Sequence, residues 1–153
     1  MALLLRGMFG QLGLECFPKT SGSKGLQVYV PLNHDHVTYD HTKPFAKAVA
    51  ETLEKAEPDL IVSRMTKSLR AGKVLVDWSQ NDEHKTTICV YSLRARERPT
   101  VSTPVSWEEV EACAEAGDAG LLVFDSEQVL ARVDEHGDLF APVLSLVQEL
   151  PAV

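Results

Sequence analysis

Residues 14–32 read LECFPKTSGSKGLQVYVPL, and this stretch decides the fold because it sets a small-residue loop between two extended segments. Residues 14–17 form a short apolar run, which predicts a strand that leads into Pro18. Residues 19–25 contain two glycines and two serines, so they cannot be helix or strand throughout. Residues 26–32 alternate β-prone side chains, which predicts the second strand. The loop is therefore expected to be held between two strands.

The loop has the composition of an anion-binding turn. Its glycines let successive backbone N–H groups converge, while Ser21 and Ser23 add hydroxyl donors and Lys24 adds a positive charge. It is not a Walker A loop, because the G-x-x-x-x-G-K-[ST] spacing is absent and a strand follows instead of a helix. An ordinary surface turn has the same composition, so that alternative stays open.

A second polar position stands in the strand predicted over residues 73–78, KVLVDW. A carboxylate at a strand end, here Asp77, is an oxygen ligand of the kind that Mg²⁺ or Mn²⁺ prefers. The same residue would equally cap a turn, and one carboxylate does not make a metal site. A different metal hypothesis, with transition-metal ligands, rests on a polar loop cluster: His34, Asp35, His36, Asp40 and His41.

The rest of the chain is predicted from periodicity and capping signals. An i, i+4 stripe through Phe45, Val49 and Leu53 predicts an amphipathic helix over residues 43–56, with Thr42 or His41 as its cap. Further helices are predicted over residues 2–12, 126–134 and 138–149, with a capping-box start at 106–109, and a strand over 86–91. This order predicts an α/β or α+β fold, with a mixed or antiparallel sheet flanked by helices.

Charge is distributed unevenly along the 153 residues, whose net charge is −7. Residues 1–63 carry −1, residues 64–98 carry +4 and residues 99–153 carry −10. A basic middle region is expected where one surface faces phosphate, although solvated charged faces give the same pattern. The basic candidates are Lys67, Arg70, Lys73, Arg94 and Arg96, of which the last two lie on one side of an extended segment and would reach a triphosphate.

Cysteine usage and hydropathy limit the cellular compartments in which we expect the protein. Three scattered cysteines give neither a disulfide framework nor a zinc pattern, and Cys16 and Cys89 are interpreted as core residues. No apolar run approaches the roughly 18 residues that a membrane span needs. We therefore expect a protein of the reducing cytoplasm with no membrane partner.

These pieces occur in an order that resembles the polymerase domain of bacterial DNA ligase D, a member of the archaeo-eukaryotic primase-polymerase superfamily used in non-homologous end joining. The likeness runs from about Leu3 to Leu144, and residues 65–81, MTKSLRAGKVLVDWSQN, are its most specific part. The other matching stretches are FPKTSGSKGLQVYVPL, TYDHTKPFAKAVAETLE and VLARVDEHGDLFAPVL. The resemblance implies a partial primase-like catalytic core that acts as a template-directed nucleotidyltransferase with Mg²⁺ or Mn²⁺.

The resemblance also implies a role for each matched position. Asp77 matches the third metal-binding aspartate and is the expected catalytic residue. Ser21, Lys24, Gln80 and Arg94 match residues that contact the triphosphate, and Ser23 and Gln27 are grouped with them as nucleotide-binding. Lys67 and Arg70 fall in the basic segment beside the active site, and Lys73 and Arg96 are added as DNA- or phosphate-contacting residues. The expected ligands are DNA ends and nucleoside triphosphates.

Two departures from the family pattern qualify these expectations. The family's other two catalytic aspartates form an Asp-x-Asp pair that this sequence does not supply, and the family usually has His where Gln27 stands. We therefore expect one N-terminally incomplete domain, with residues 1–98 as nucleotide-binding core and residues 99–153 as an extended segment with helices. Alone it would have no appreciable polymerase activity.

Such a chain would need other molecules to act in repair. Ku-like and ligase subunits, or a separate N-terminal half, are the possible protein partners. The alternatives are a non-catalytic module that binds nucleotides or DNA ends, and a truncated relic. An exposed sheet edge that promotes dimerisation is also possible.

Overall fold

A computed structural model describes residues 1–151 of the chain, and these residues group into two compact units that are both discontinuous in sequence. We call residues 2–33 and 88–148 the loop unit. We call Met1, residues 34–87 and residues 149–151 the aspartate unit. Residues 88–98 thus group with the segment that follows them and with the N-terminal strands, whereas the sequence placed a division after residue 98.

The loop unit is built on a hairpin. Strand β1 (Phe17–Thr20) pairs antiparallel with β2 (Leu26–Tyr29), and β5 (Leu93–Arg94) pairs antiparallel with β6 (Thr100–Val101). The backbone after β6 joins the two pairs, because Thr20 N–H donates to Thr103 O at 2.8 Å and Lys19 bridges to Pro104. The loop predicted from the sequence is therefore held on two sides, by its own strands and by the β5–β6 pair.

Three helices complete the loop unit: α1 (Ala2–Gln11), α3 (Trp107–Ala116) and α4 (Ser126–His136). The predicted capping box at the start of α3 is confirmed, since Ser106 Oγ accepts from Glu109 N–H while the Glu109 carboxylate accepts from Ser106 N–H. The core of the unit is apolar and comprises Phe9, Leu14, Cys16, Val101, Val105, Val110, Val129 and Phe140.

The aspartate unit packs one helix against a small parallel pair of strands. Helix α2 (Tyr39–Ala56) buries the predicted stripe against β3 (Ile61–Val62), which pairs with β4 (Val74–Leu75). The helix begins four residues before the predicted start. Thr38 is the N-cap, since its hydroxyl accepts from Asp40 N–H and His41 Nδ1 accepts from Thr38 N–H.

Several predicted elements are shorter than expected. The strand over 73–78 is limited to β4, and a 3₁₀ turn (Trp78–Gln80) follows it. No strand forms over 86–91 in the described structure, where Tyr91 takes a φ of 63° that ends any extended run. The helix over 138–149 is reduced to a 3₁₀ turn (Ala141–Leu144), and beyond it Gln148 N–H donates to Leu32 O at 3.2 Å instead of to a helical turn. No helix among residues 1–151 is long and apolar enough to cross a bilayer.

Candidate functional site

The loop between β1 and β2 closes on itself and directs two backbone donors at one point. Ser21 N–H donates to Gly25 O at 2.9 Å, which extends the β1–β2 pairing by one step. The N–H groups of Ser23 and Gly25 both donate to Ser21 Oγ at 3.2 Å. Convergent backbone N–H groups of this kind bind anions. In this structure the Ser21 hydroxyl accepts from both donors, and that they bind an anion stays a prediction.

Gly22 lets a neighbouring strand pair lie directly against this loop. Its φ is +64°, and a Cβ at this position would meet Arg94 Cγ at 2.8 Å, Val101 C at 3.0 Å and Ser102 N at 3.1 Å. The Thr100 hydroxyl donates to Gly22 O at 2.5 Å and fixes the same approach. The loop is therefore packed without space for any side chain at Gly22.

Two arginines that the sequence singled out come to the loop from β5 and the turn after it. The Arg94 side chain passes over Gly22, and the Arg96 guanidinium donates to Ser23 Oγ. Both arginines and Lys24 are exposed, so three positive charges are available to a ligand at the loop. The structure thus brings together most of the predicted triphosphate contacts of the loop unit: Ser21, Ser23, Lys24, Arg94 and Arg96.

The sequence reasoning missed Lys19, which lies in β1 and is 1% exposed. Its ammonium donates to Gln27 Oε1 at 2.6 Å, to Ser102 Oγ at 2.7 Å and to Ile88 O at 3.0 Å. All three acceptors are uncharged. Ser102 Oγ in turn donates to Thr20 O at 2.8 Å, so the contact reaches the residue from which the loop begins. Strand pairing sets the contact with Gln27, because Lys19 and Gln27 are directly opposite in the β1–β2 register.

Burial changes the protonation of Lys19. Desolvation of the ammonium lowers the pKa of Lys19 from 10.5 to about 8, nearby Cys89 acts to raise it, and Arg94 acts to lower it. At neutral pH the side chain is still mainly cationic. The interior of the loop unit therefore carries a positive charge beside the β1–β2 turn.

In the aspartate unit, Asp77 stands at the end of β4 and is exposed. Its Oδ1 accepts from Ser79 Oγ at 2.6 Å and its Oδ2 accepts from Gln80 Nε2 at 3.1 Å. The backbone turns here because Trp78 Nε1 donates to Ser63 O at 2.8 Å. Asp77 and Gln80, both predicted from the sequence, are thus in direct contact. That they share a ligand with the loop stays a prediction.

The basic residues of the aspartate unit make mostly local contacts. The Arg70 guanidinium donates to Met65 O, and Lys73 Nζ donates to Pro58 O at 2.5 Å. Lys67 lies exposed at the start of a 3₁₀ turn (Lys67–Leu69). Of these three residues, Lys67 presents its charge most fully to solvent, whereas Arg70 and Lys73 also stabilise the local backbone.

The residues that could bind a metal do not form a complete set within one unit. Among residues 1–151 no group of three His, Cys, Asp or Glu side chains is arranged to hold an ion. The transition-metal hypothesis therefore lacks a ligand set, and His41 instead caps α2. Asp77 supplies one carboxylate, which alone does not fit the several that a catalytic divalent ion requires.

The cysteine interpretation is half right. Cys16 is buried, and this burial raises the pKa of its thiol to about 11, as expected of a core residue. Cys89 is exposed, so its interpretation as a core residue is wrong; the chain around it does not form the strand that would have covered it.

Comparisons with known proteins bear directly on this arrangement. The sequence model of the family described as LigD, primase-polymerase domain, matches residues 1–140. The Multifunctional non-homologous end joining protein LigD of Mycolicibacterium smegmatis is 48% identical over 139 residues, which cover 91% of this chain and 17% of that protein. The Bifunctional non-homologous end joining protein LigD of Bacillus subtilis is 33% identical over 133 residues, 87% of this chain and 21% of that protein.

A solved structure extends the likeness to three dimensions. The polymerase domain from Mycobacterium tuberculosis ligase D in complex with DNA superimposes with a TM-score of 0.85 at 45% identity, over 96% of this chain and 49% of that one. The chain thus spans about half of that solved polypeptide and about a fifth or less of the curated relatives. Sequence and backbone agree, and the chain belongs to the primase-polymerase domain family of LigD.

Proposed function

We propose that this chain is the triphosphate-binding part of a metal-dependent nucleotidyltransferase that adds nucleotides at DNA ends during non-homologous end joining. The observation that carries the proposal is the convergence of the Ser21–Gly25 loop with Arg94 and Arg96 in one unit of a LigD-family chain. Backbone N–H groups, hydroxyls and guanidinium groups together recognise the oxygens of a polyphosphate. We propose nucleoside triphosphates and DNA ends as the ligands of the chain.

Each loop residue has a distinct part in binding. The Ser23 and Gly25 N–H groups donate to a phosphate oxygen once the Ser21 hydroxyl turns away from them. Lys24 and Arg94 neutralise the charge that builds up on a polyphosphate, and Arg94 is suited to bidentate contacts. Gly22 keeps Arg94 against the loop, so the donors are arranged before the ligand arrives.

Metal dependence is general in this family, and Mg²⁺ or Mn²⁺ are the ions we propose. When bound, a divalent ion would neutralise charge on the phosphates and activate the attacking oxygen. Asp77, supported by Ser79 and Gln80, is the carboxylate that this chain would contribute. Since residues 1–151 hold no cluster of three ligands, we propose that the chain alone has no appreciable polymerase activity.

The remaining carboxylates would come from outside residues 1–151. We propose a separate N-terminal half of the polymerase domain as the completing partner, with Ku-like and ligase subunits as further partners. The mycobacterial polymerase domain was solved in complex with DNA, which supports DNA as a ligand here. Lys67, Arg70 and Lys73 are the residues we propose to contact the DNA phosphate backbone. The proposed setting is cytoplasmic and nucleoid-associated.

The experiment that tests the proposal is titration of the chain with ATP by isothermal calorimetry. Lys24→Met should weaken ATP binding by at least about tenfold, because one charge-assisted contact of about 1.5–3 kcal/mol is lost. Lys85→Met removes an exposed lysine of the other unit and should leave ATP binding unchanged. Failure of the unmodified chain to bind ATP, or equal effects of the two variants, would contradict the proposal.

The absence of a three-ligand cluster among residues 1–151 favours a second candidate, a non-catalytic module that binds nucleotides or DNA ends. The two are separated by mixing the chain with an N-terminal half that carries an Asp-x-Asp strand, a gapped template, Mn²⁺ and labelled nucleotide. Primer extension that Asp77→Asn abolishes supports the nucleotidyltransferase. An inert mixture in which the chain still retards DNA supports the binding module.

A further inference from the structure

The Lys19–Gln27 contact gives Gln27 a fixed orientation. An ammonium has only hydrogen-bond donors, so the Gln27 atom that faces Lys19 Nζ at 2.6 Å must be the amide oxygen. The Gln27 Nε2 group consequently points away from Lys19 with two donors. Without the lysine, the amide could present either its oxygen or its nitrogen to the site.

The Lys19–Gln27 pair lies on the hairpin at a position from which the Gln27 Nε2 donors can reach a ligand at the loop. Lys19 and Gln27 are opposite each other, Thr20 pairs with Leu26, and Ser21 bonds to Gly25, so the pair lies two steps from the loop. Alternation puts Lys19, Gln27 and the Ser21–Gly25 step on one face of the hairpin, about 7 Å apart. A polyphosphate held at the loop can extend over that distance.

We propose, on the basis of the proposed function, that Lys19 is a positioning residue which orients the Gln27 amide so that its NH₂ donates to the phosphates of the bound nucleotide. Three contacts fix the lysine: Gln27 Oε1, Ser102 Oγ and Ile88 O. It also adds a positive charge directly beneath the ligand. Lys19 itself is 1% exposed and does not touch the ligand.

Variants of Gln27 separate orientation from stability. Gln27→Glu keeps an acceptor for Lys19 and creates an ion pair, but it removes the donor and adds a negative charge. Gln27→His can accept from Lys19 with one ring nitrogen and donate with the other. We therefore expect Gln27→Glu to bind ATP at least about tenfold more weakly with an unchanged or higher melting temperature, and Gln27→His to bind within about threefold of the unmodified chain.

The second measurement is a pH profile of ATP affinity from pH 7 to 9. The titratable and charged groups that face Lys19 are Tyr29, whose ring centroid is 5.6 Å from Nζ, Cys89 and Arg94. Burial raises the pKa of Tyr29 further above this range, and Arg94 keeps its charge. A Cys89→Ser background removes the thiol. In that background affinity should fall as pH rises through the pKa of Lys19, and Lys19→Met should give weaker and pH-independent binding.

The outcomes are distinct. Three results would overturn the role of Lys19 and leave the proposed function intact. Gln27→Glu could bind ATP with normal affinity, or Gln27→His could lose as much ATP affinity as Gln27→Glu. The third such result is a pH dependence of ATP affinity that persists in Lys19→Met. Tripolyphosphate should show the same ranking as ATP, since the contact is to phosphate; a ranking seen with ATP alone overturns the phosphate assignment. A chain that binds neither probe removes the proposed function and this inference together.

Discussion

Gly22 offers the sharpest test of the loop architecture, because a single methyl group would disrupt it. In Gly22→Ala the new Cβ would lie 2.8 Å from Arg94 Cγ, 3.0 Å from Val101 C and 3.1 Å from Ser102 N. The arginine side chain can shift, but the backbone of β6 cannot do so without breaking its pairing with β5. The loop would therefore have to move away from Arg94.

The magnitude follows from two contributions. A non-glycine residue in the left-handed region costs roughly 1–2 kcal/mol. Forcing an extra methyl group into closely packed backbone adds typically about 1–3 kcal/mol. Gly117→Ala is the matched control, since Gly117 has a φ of +63° in the same unit and nothing within 4 Å of an added Cβ. We expect Gly22→Ala to lose about 2–5 kcal/mol of unfolding free energy and Gly117→Ala only the first contribution.

Urea unfolding followed by circular dichroism measures both variants, and calorimetry measures ATP affinity under conditions where each remains folded. Gly22→Ala should also bind ATP at least about tenfold more weakly, because the loop donors and Arg94 are separated, whereas Gly117→Ala should bind normally. If the two variants were equally destabilised, the packing of β6 against the loop would not be the reason for glycine at position 22.

Three further predictions concern stability. Arg132→Met should lower the unfolding free energy, measured by urea unfolding, by about 1.5–3 kcal/mol. The reason is that Arg132 makes two hydrogen bonds to the Glu109 carboxylate and lies 4.5 Å from the Phe124 ring. An unchanged free energy would mean that the Arg132–Glu109 pair contributes nothing. Ser106→Ala should cost about 1 kcal/mol by the same measurement, since it removes the N-cap of α3, and Ser106→Asp should restore it. Because the folded-state pKa of Lys19 is lowered to about 8, the unfolded chain binds more protons between pH 8 and 10. Stability should therefore rise with pH there, by up to about 1.4 kcal/mol per pH unit relative to Lys19→Met, and equal slopes in the two proteins would contradict this.

Local signals predicted the parts of the fold whose cause is local. The stripe of α2 is read directly from an i, i+4 spacing, and the start of α3 from a four-residue capping motif. The turn between β1 and β2 was predicted for the same reason, since glycine and serine content sets its backbone conformations within a few residues, whereas its anion binding stays a prediction. Arg94 and Arg96 were singled out from their charge and their spacing along an extended segment, and Arg94 also from the family resemblance, whereas their meeting with the loop depends on the β5–β6 pair about 70 residues away.

Elements whose partners are distant in sequence were predicted less well. Residues 138–149 have an apolar content that suits a helix, but Gln148 donates through its backbone N–H to Leu32 O and through its side chain to Glu15 O and Pro31 O. Residues 86–91 are β-prone, yet Ile88 O accepts from buried Lys19 and Tyr91 N–H donates to Ser102 O at 2.7 Å. In both segments long-range hydrogen bonds replace the regular pairing that propensity favoured.

Lys19 shows why composition alone could not identify the whole site. In the sequence it opens a run of polar and small residues and has the character of a solvated turn. In the structure the pairing with Gln27 and the bridge to Pro104 turn the same side chain into the interior. Burying an ammonium group on uncharged acceptors costs free energy that a methionine of similar length would not cost. Stability therefore does not explain the residue, whereas a positive charge held beneath the proposed anion-binding loop would. A Lys19→Met chain that was more stable and bound ATP with unchanged affinity would leave the lysine without that explanation.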